Sequence, residues 1–260
     1  MTRGTISGLA LATLLALLAR ADEAARDLAG DGVREFNAAY RAWDGGRFAA
    51  AAALFRQACT NAPTDSTNFY WLGVTEFHRM LQVQSLPPSA SNNVAAAAGM
   101  EAALAALATA VKLEPDQAEC HALLGTLYGM KIGGNLIRGA RFGPRVAGHQ
   151  KQALQFGAAN PRVQYLLGTC LFHTAKNPAR QREALAALLQ AEKLFESEAT
   201  TPAAPLEPRW GYSACLTFIG RTYEQLGEPA RAETYYRRAL AVHPADHLAG
   251  AGLARVAQRK

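Results

Sequence analysis

The stretch that decides the fold is GRTYEQLGEPARAETYYRRALAVHP, residues 220–244. Within it a glycine is followed by an alanine at offset 5, an aromatic residue at 9, a second alanine at 12 and a proline at 17. These residues are Gly227, Ala232, Tyr236, Ala239 and Pro244. The same residue classes recur at the same offsets near the N-terminus, at Gly46, Ala51, Phe55, Ala58 and Pro63. Two copies of one spacing indicate a repeated structural unit.

Each residue class in this spacing has a mechanical role. The glycine turns the chain between two helices, the alanines let the helices approach closely, the aromatic residue fills the groove between them, and the proline ends the unit. With Ile219, Gly220 and Tyr223 on a preceding helix, the stretch resembles a tetratricopeptide repeat, a helix-turn-helix unit of about 34 residues. The resemblance implies an all-α superhelix, a solenoid of stacked helix pairs.

Further anchors extend the resemblance along the chain. A Leu-Gly or Ile-Gly pair recurs with its glycine at Gly73, Gly125, Gly168 and Gly220. They predict five units, at residues 33–63, 66–115, 118–158, 161–197 and 210–244, followed by an amphipathic cap at 246–258. The middle units exceed the family's length, so we expect insertions near residues 81–99, 129–146 and 176–182. We expect the first of these to contain an exposed loop at 85–93. Residues 22–260 are therefore predicted to form one solenoid of about five helix pairs plus terminal helices.

Residues 1–21 have the pattern of a secretory signal. Arg3 precedes an uncharged, largely apolar run at residues 4–19, and Ala19 and Ala21 supply small residues at the two positions that a signal peptidase requires. Cleavage is predicted before Asp22, which would place the mature protein in the periplasm or outside the cell. The alternative is an uncleaved membrane anchor, although the run is shorter than the roughly 20 residues that span a bilayer.

Export makes the four cysteines a test of the predicted register. Cys120 and Cys215 match in register but lie two units apart, Cys170 is axially offset from both, and Cys59 lies on a second helix. A disulfide requires Cα atoms within about 7 Å. The spacing therefore predicts four free, buried thiols, and no Cys/His pattern indicates a metal site.

The charge distribution gives the main indication of function. From Cys120 to Arg182 there is no Asp or Glu, while nine Lys and Arg residues fall in this block; the chain has 27 Lys+Arg and 21 Asp+Glu, so the remainder is net acidic. We expect a local positive potential that attracts an anionic partner, an acidic protein or peptide. The alternative is a set of solvated helix faces. Residues predicted to bind the anionic partner are Lys131, Arg138, Arg141, Arg145 and Lys176.

Residues 129–145 of the block are rich in both glycine and arginine. Glycines let a backbone turn its amides toward one point, and flanking cations add charge, which is how a loop can hold phosphate or carboxylate. This stretch and residues 160–174 resemble exported bacterial tetratricopeptide repeat proteins of unassigned activity. The alternative is an elongated connection that packs Ile132, Leu136, Ile137 and Phe142 on the solenoid.

In this family the first helix of each unit lines the concave surface, where partners bind. Tyr, Phe and His recur at offsets of minus three, plus four and plus five from Gly73 and Gly168. An aromatic groove beside basic residues suits an extended peptide; the alternative is ordinary packing. Residues predicted to line this groove are Tyr70, Trp71, Phe77, His78, Tyr165, Phe172 and His173.

No catalytic constellation is recognisable in the sequence. There is no GxSxG or HExxH pattern, and the basic block offers no pair of carboxylates for acid–base chemistry. The sequence predicts a non-enzymatic protein–protein interaction module of the bacterial cell envelope, without cofactor, metal or nucleic-acid partner. A membrane surface is an additional candidate contact. The alternative function is a small-molecule or lipid-binding subunit of an envelope transport system.

Overall fold

A computed structural model describes the backbone of residues 8–258 and the side chains of residues 22–258. These residues form helices α1 Gly8–Ala42, α2 Gly45–Asn61, α3 Ser66–Gln84, α4 Ala90–Leu113, α5 Ala118–Ile132, α6 Leu136–Gly157, α7 Pro161–Thr174, α8 Pro178–Ala199, α9 Tyr212–Gln225, α10 Pro229–Val242 and α11 His247–Ala257. Consecutive helices pair as α1–α2, α3–α4, α5–α6, α7–α8 and α9–α10, and α11 packs on the last pair. The prediction of an all-α solenoid with five helix pairs is confirmed.

The helices begin where the sequence supplies a cap. The side chains of Asp44, Asp65, Asn135, Asn160 and Asn177 accept hydrogen bonds from backbone amides in the first turns of α2, α3, α6, α7 and α8. Such caps satisfy amides that have no partner within the helix. Proline opens α7, α8 and α10, where a missing N–H costs nothing.

The repeated spacing has the predicted packing role. Its two aromatic residues, Phe55 and Tyr236, are fully buried, as are the alanines on either side of each. Gly220 permits close approach of α9 and α10, because a Cβ there would lie 2.8 Å from the Tyr236 ring. Gly227 has the predicted left-handed turn conformation, with φ +77°. In the first unit, however, Trp43 has the positive φ and Gly46 lies within α2.

Helix extension accounts for most of the inserted residues. The first insertion leaves a five-residue loop, because α4 begins at Ala90 and its N-cap is Ser89, whose hydroxyl accepts from the Asn92 amide. The predicted loop at residues 85–93 is therefore longer than the observed one, which ends before Ala90. Likewise α8 begins at Pro178, so the third insertion is a short connection followed by helix.

The glycine-rich stretch at residues 129–145 is mostly helical rather than a loop. It comprises the last turn of α5, a turn at residues 133–135, and the first part of α6. Gly133 and Gly134 have positive φ, whereas Gly139 and Gly143 lie within the helix. The expectation of a loop that converges its amides on an anion is therefore wrong, since most of these amides belong to helices.

Helices α1 and α4 are the two segments that a membrane could contact by composition. The predicted signal begins in residues 1–7, which lie outside the described residues, and its remainder lies in α1; cleavage before Asp22 stays a prediction. Among the described helices, α4 is long and apolar enough to span a membrane, with a mean hydropathy of 1.7. A core helix passes the same test, and Ala103, Leu107 and Ala110 of α4 are fully buried.

The two ends of the solenoid touch. The rings of Tyr40 in α1 and His243 at the end of α10 stack with centroids 5.1 Å apart, and His243 Nε2 donates to the Arg41 carbonyl oxygen at 3.2 Å. Trp43 lies 5.5 Å from the ring of His247. Side chains of the first and last units are therefore in direct contact.

Candidate partner-binding surfaces

The concave surface is occupied by part of the same chain. Residues 200–211, TTPAAPLEPRWG, connect α8 to α9, and we refer to them as the inner segment. Trp71 Nε1 of α3 donates to the Leu206 carbonyl oxygen at 2.8 Å. Trp210 at the end of the inner segment is only 2% exposed, and its indole lies 5.1 Å from the ring of His78. The sequence interpretation left this segment without a role, although one Trp and one Leu within a proline-rich run were a signal that it packs.

The residues predicted to line an open groove are therefore mostly covered. Buried members of the set are Tyr70, Trp71, Phe77, His78, Tyr165 and Phe172. His173 is exposed, with its ring 5.6 Å from that of Phe218. In this geometry the aromatic residues pack on one another and on the inner segment, which is the alternative that the sequence left open. The open groove is not present because the inner segment takes its place.

A buried polar network lies behind the inner segment. Trp210 Nε1 donates to the Tyr70 hydroxyl oxygen at 3.0 Å, and that hydroxyl donates to Glu119 Oε2. Arg162 Nε donates to Glu119 Oε1 at 2.7 Å, while its two terminal nitrogens form a bidentate pair with Glu198. Burial alone would lower the pKa of Arg162, but the two carboxylates raise it above its ordinary value. The network joins α3, α5, α7, α8 and the inner segment.

Arg162 must consequently be removed from the basic block as a partner-binding charge. It is 3% exposed and lies between two carboxylates, Glu119 and Glu198, that come from outside the acid-free block. Lys131, a predicted site residue, is also paired, with Glu101 Oε1 of α4 2.6 Å from its Nζ. Arg180 is paired with Glu183. Positive charge available to a partner is therefore smaller than the sequence count indicates.

The remaining predicted basic residues are exposed. Arg138, Arg141, Arg145 and Lys176 form no ion pair with any carboxylate of residues 22–258. Arg145 lies 5.4 Å from the ring of Tyr128, and Arg141 lies 5.2 Å from that of Phe142. Cation–π contacts of this kind orient a guanidinium and leave its N–H donors able to bind an anion. The first three share the outer side of α6; Lys176 lies in the α7–α8 connection.

Two histidines hold the base of α6 to α5. His121 Nε2 donates to the Pro115 carbonyl oxygen at 2.9 Å, and His121 Nδ1 shares a hydrogen bond with His149 Nδ1 at 3.0 Å. Burial, His121 and Arg145 lower the pKa of His149. The described residues contain no group of three His, Cys, Asp or Glu residues that could hold a metal ion.

A cleft between α5, α6 and α7 is charged rather than apolar. It has a volume of about 750 Å³, and Asp116, Glu119, Arg162, Glu198 and Glu207 are among its lining residues. A second cavity of about 280 Å³ is lined by Phe172, Arg221, Glu224, Gln225 and Arg255. Neither cavity is the closed apolar chamber that a lipid-binding subunit would need.

The four cysteines are all free thiols. Cys59, Cys120 and Cys215 are buried, and Cys170 is half-buried, with Gln150 Nε2 donating to its Sγ at 3.0 Å. Burial raises the pKa of all four thiols, to about 12 for Cys59. Three of the four thiols that the sequence predicted to be buried are buried, and Cys170 is the exception.

Comparisons with known proteins support the fold. Residues 214–256 match the family described as tetratricopeptide repeat. The chain superposes on the crystal structure of TTC0263, a thermophilic tetratricopeptide repeat protein of Thermus thermophilus, with a TM-score of 0.63 and 19% identity over 90% of this chain and 100% of that chain. It also superposes on the HusA haemophore of Porphyromonas gingivalis, with a TM-score of 0.57 and 18% identity over 76% of this chain and 92% of that chain. No curated protein matches the sequence.

At these identities the structural likeness concerns the fold alone. The α9–α10 unit that carries the repeat spacing is also the part that the family's sequence model matches. The fold is one that serves protein–protein interaction and is typical of non-enzymatic scaffolds. Residues 214–256 therefore carry the sequence pattern of the tetratricopeptide repeat family, and the described residues have the fold of a tetratricopeptide repeat solenoid.

Proposed function

We propose that this protein is a non-enzymatic protein–protein interaction module of the bacterial cell envelope, and that its partner is an acidic protein or peptide. The observation that carries the proposal is the exposed, unpaired positive charge of Arg138, Arg141, Arg145 and Lys176. We call these four residues and Lys131 the basic set. Lys131 is paired with Glu101, but the Glu101 side chain is largely exposed, so an anion of the partner can replace it. The envelope location rests on the signal pattern of residues 1–21.

The concave aromatic residues enter this proposal in a different way. Several of them already hold the inner segment, by apolar packing and by the hydrogen bond from Trp71 to the Leu206 carbonyl. A partner peptide would reach Tyr70, Trp71, His78 or Tyr165 only after the inner segment left. Phe77 and Phe172 are buried, and Phe172 packs on Phe218 of α9. His173 is accessible without that change.

Capture of envelope proteins by the full chain tests the proposal. An envelope extract solubilised in detergent avoids any contribution from bilayers. We expect the double substitution Arg145→Gln with Lys176→Gln to weaken capture by about 1.5 to 3 kcal/mol for each charge that hydrogen-bonds to the partner. The loss should be greater at low salt, because exposed charges are screened beyond about 8 Å at physiological ionic strength.

A matched control removes the same net charge elsewhere. Lys112 and Lys193 are exposed on α4 and α8, so Lys112→Gln with Lys193→Gln should leave capture unchanged. Equal capture by wild type and both double variants at each salt would refute the basic set as the recognition surface.

The alternative, a small-molecule or lipid-binding subunit, has less support. The HusA structure is named a haemophore, but its likeness to this chain is one of fold. The clefts seen here are lined by charged residues. Trp210 of the inner segment is buried against Tyr70 and His78, whereas residues 200–205 are exposed. We therefore favour the interaction module.

A further inference from the structure

The most exposed large apolar side chains of the described chain lie together at one point. Leu136 is 90% exposed and Ile137 is 82% exposed, immediately after the turn that joins α5 to α6. Six consecutive residues, 133–138, are all exposed. One alternative predicted for residues 129–145 was a connection in which Leu136 and Ile137 pack on the solenoid. For these two side chains that prediction is wrong. Their apolar surface has no partner among residues 22–258.

Helical spacing arranges the beginning of α6 into two adjacent rows. Leu136, Ala140 and Pro144 follow one another at four-residue intervals and are all exposed, which makes an apolar row. The neighbouring row, at the same interval, is Ile137, Arg141 and Arg145. We call these two rows the α6 outer face.

The opposite side of α6 is fixed to the solenoid. Phe142 and His149 both stack on Tyr128 of α5, with centroids 5.8 Å away in each case. Because these contacts set the rotation of the helix, the apolar and arginine rows are held outward together. The outer face is therefore a rigid feature of the fold.

We propose that the α6 outer face docks on an anionic phospholipid surface. A helix that lies at a membrane interface buries its apolar side chains at the boundary of headgroups and acyl chains, while arginines remain among the headgroups. The two rows, with Arg138 beside them, match this arrangement. Charge complementarity selects anionic lipid, since residues 120–182 contain no Asp or Glu that would repel phosphate.

The convex shape of the site favours a bilayer over a protein partner. Apolar anchors that bind proteins enter a pocket of the partner, whereas a protruding Leu-Ile pair enters a fluid interface without one. This inference rests on the envelope location that the proposed function assumes. It assigns Arg138 and Arg141 of the basic set to contact with lipid headgroups. It is separable from protein capture, for which the proposed assay uses detergent extract without bilayers and substitutes Arg145 and Lys176.

Local fluorescence tests this docking in the full chain. In Ile137→Trp the introduced indole lies on the proposed contact, so its emission should shift to the blue on addition of vesicles containing equal parts phosphatidylcholine and phosphatidylglycerol. Brominated acyl chains in the same vesicles should quench it. Vesicles of phosphatidylcholine alone should cause much less change. Because the probe is local, residues 1–21 do not contribute to the signal if they bind lipid themselves.

A matched probe reports whether the effect is specific to α6. Val94 of α4 is 70% exposed, so the indole of Val94→Trp should keep its emission with the same vesicles. Adding Arg138→Gln and Arg141→Gln to Ile137→Trp should weaken vesicle binding about fivefold for each charge. Adding Leu136→Ser should weaken it by about tenfold or more.

The outcomes separate the two proposals. An unchanged emission of Ile137→Trp with anionic vesicles, or an equal response of Val94→Trp, overturns the lipid-docking inference. If capture of an acidic protein still depends on Arg145 and Lys176, the proposed function survives that result. Circular dichroism of each variant confirms that substitutions at these exposed positions leave the fold intact.

Discussion

The indole nitrogen of Trp210 lies 3.0 Å from the phenol oxygen of Tyr70, although 140 positions separate the two residues in sequence. The Tyr70 hydroxyl uses its proton for Glu119 and a lone pair for Trp210. Both rings are buried, so neither donor can turn to water instead. This contact fastens the inner segment to the helices that surround it.

Tyr70→Phe should lower the free energy of unfolding by about 2 to 4 kcal/mol. The change removes one oxygen and leaves a buried indole N–H and a buried carboxylate oxygen each short of a partner, at about 1 to 3 kcal/mol for each group. Chemical denaturation measures the loss. Tyr235→Phe is the control, because Tyr235 is half-buried and bonds only Glu192 in the described chain, so its cost should be about 1 kcal/mol. Equal costs for the two variants would contradict the network.

Arg162→Met should destabilise the chain by about 3 to 5 kcal/mol. Glu119 and Glu198 would then lie close together without their shared cation, and breaking a buried ion pair by removing one partner costs this much. Thermal or urea unfolding gives the value. Arg180→Met removes an exposed arginine paired with Glu183 and should change stability by less than about 1 kcal/mol. A mild effect of Arg162→Met would mean that water replaces the guanidinium.

His78 should make the protein less stable in mild acid. Its pKa is lowered to about 4 by burial, although the hydrogen bond from Nδ1 to the Val74 carbonyl partly opposes this shift. Between pH 6.5 and 4 the unfolded chain takes up a proton that the folded chain refuses, so stability falls as the pH decreases, by about 3 kcal/mol in total. In His78→Asn an amide can donate in place of Nδ1 without titrating. That variant should lose less stability over this pH window, and an unchanged pH profile would show that His78 is protonated in the folded state.

Only Cys170 should react with a thiol reagent in the native protein. It is the one half-buried cysteine, whereas Cys59, Cys120 and Cys215 are buried with raised pKa values that suppress the thiolate. Counting modified thiols by mass spectrometry before and after denaturation, without reductant, should give one and then four. Cys170→Ser should abolish the native reaction. Two thiols after denaturation would reveal a disulfide and a misassigned register.

The mature chain should begin at Asp22. Cleavage at the Ala19-Arg20-Ala21 site would shorten α1 and leave its buried residues, from Ala25 onward, in place. Intact-mass analysis of the protein from its native cells checks this directly. Recovery of Met1–Ala21 in a membrane fraction would instead support the uncleaved anchor.

Sequence spacing predicted the helix pairs because their determinants are local. The Leu-Gly pairs and the alanine–aromatic spacing act within one unit, so Gly220 could be interpreted without knowing the rest of the fold. The same reasoning failed at residues 129–145. The glycines there suggested a loop, yet the segment is mostly helical against its propensity, and Phe142 packs on Tyr128.

The concave surface could not be predicted in the same way. Its occupant is fixed by contacts such as Trp71 with Leu206, which lie 135 positions apart, and no periodicity encodes such a pair. Arg162 shows a related limit. Its charge was counted as available because the carboxylates that neutralise it, Glu119 and Glu198, both lie outside the acid-free block, and Glu198 is 36 positions from Arg162 in sequence.

The stack of Tyr40 on His243 changes how this solenoid should unfold. In an open array each repeat contacts only its neighbours, so stability behaves as a one-dimensional sum and end units fray independently. Here the first and last units share a contact, and the inner segment touches several units at once. Loss of the α9–α10 unit would release α1 as well, so the described chain should melt in a single transition, as a closed ring does.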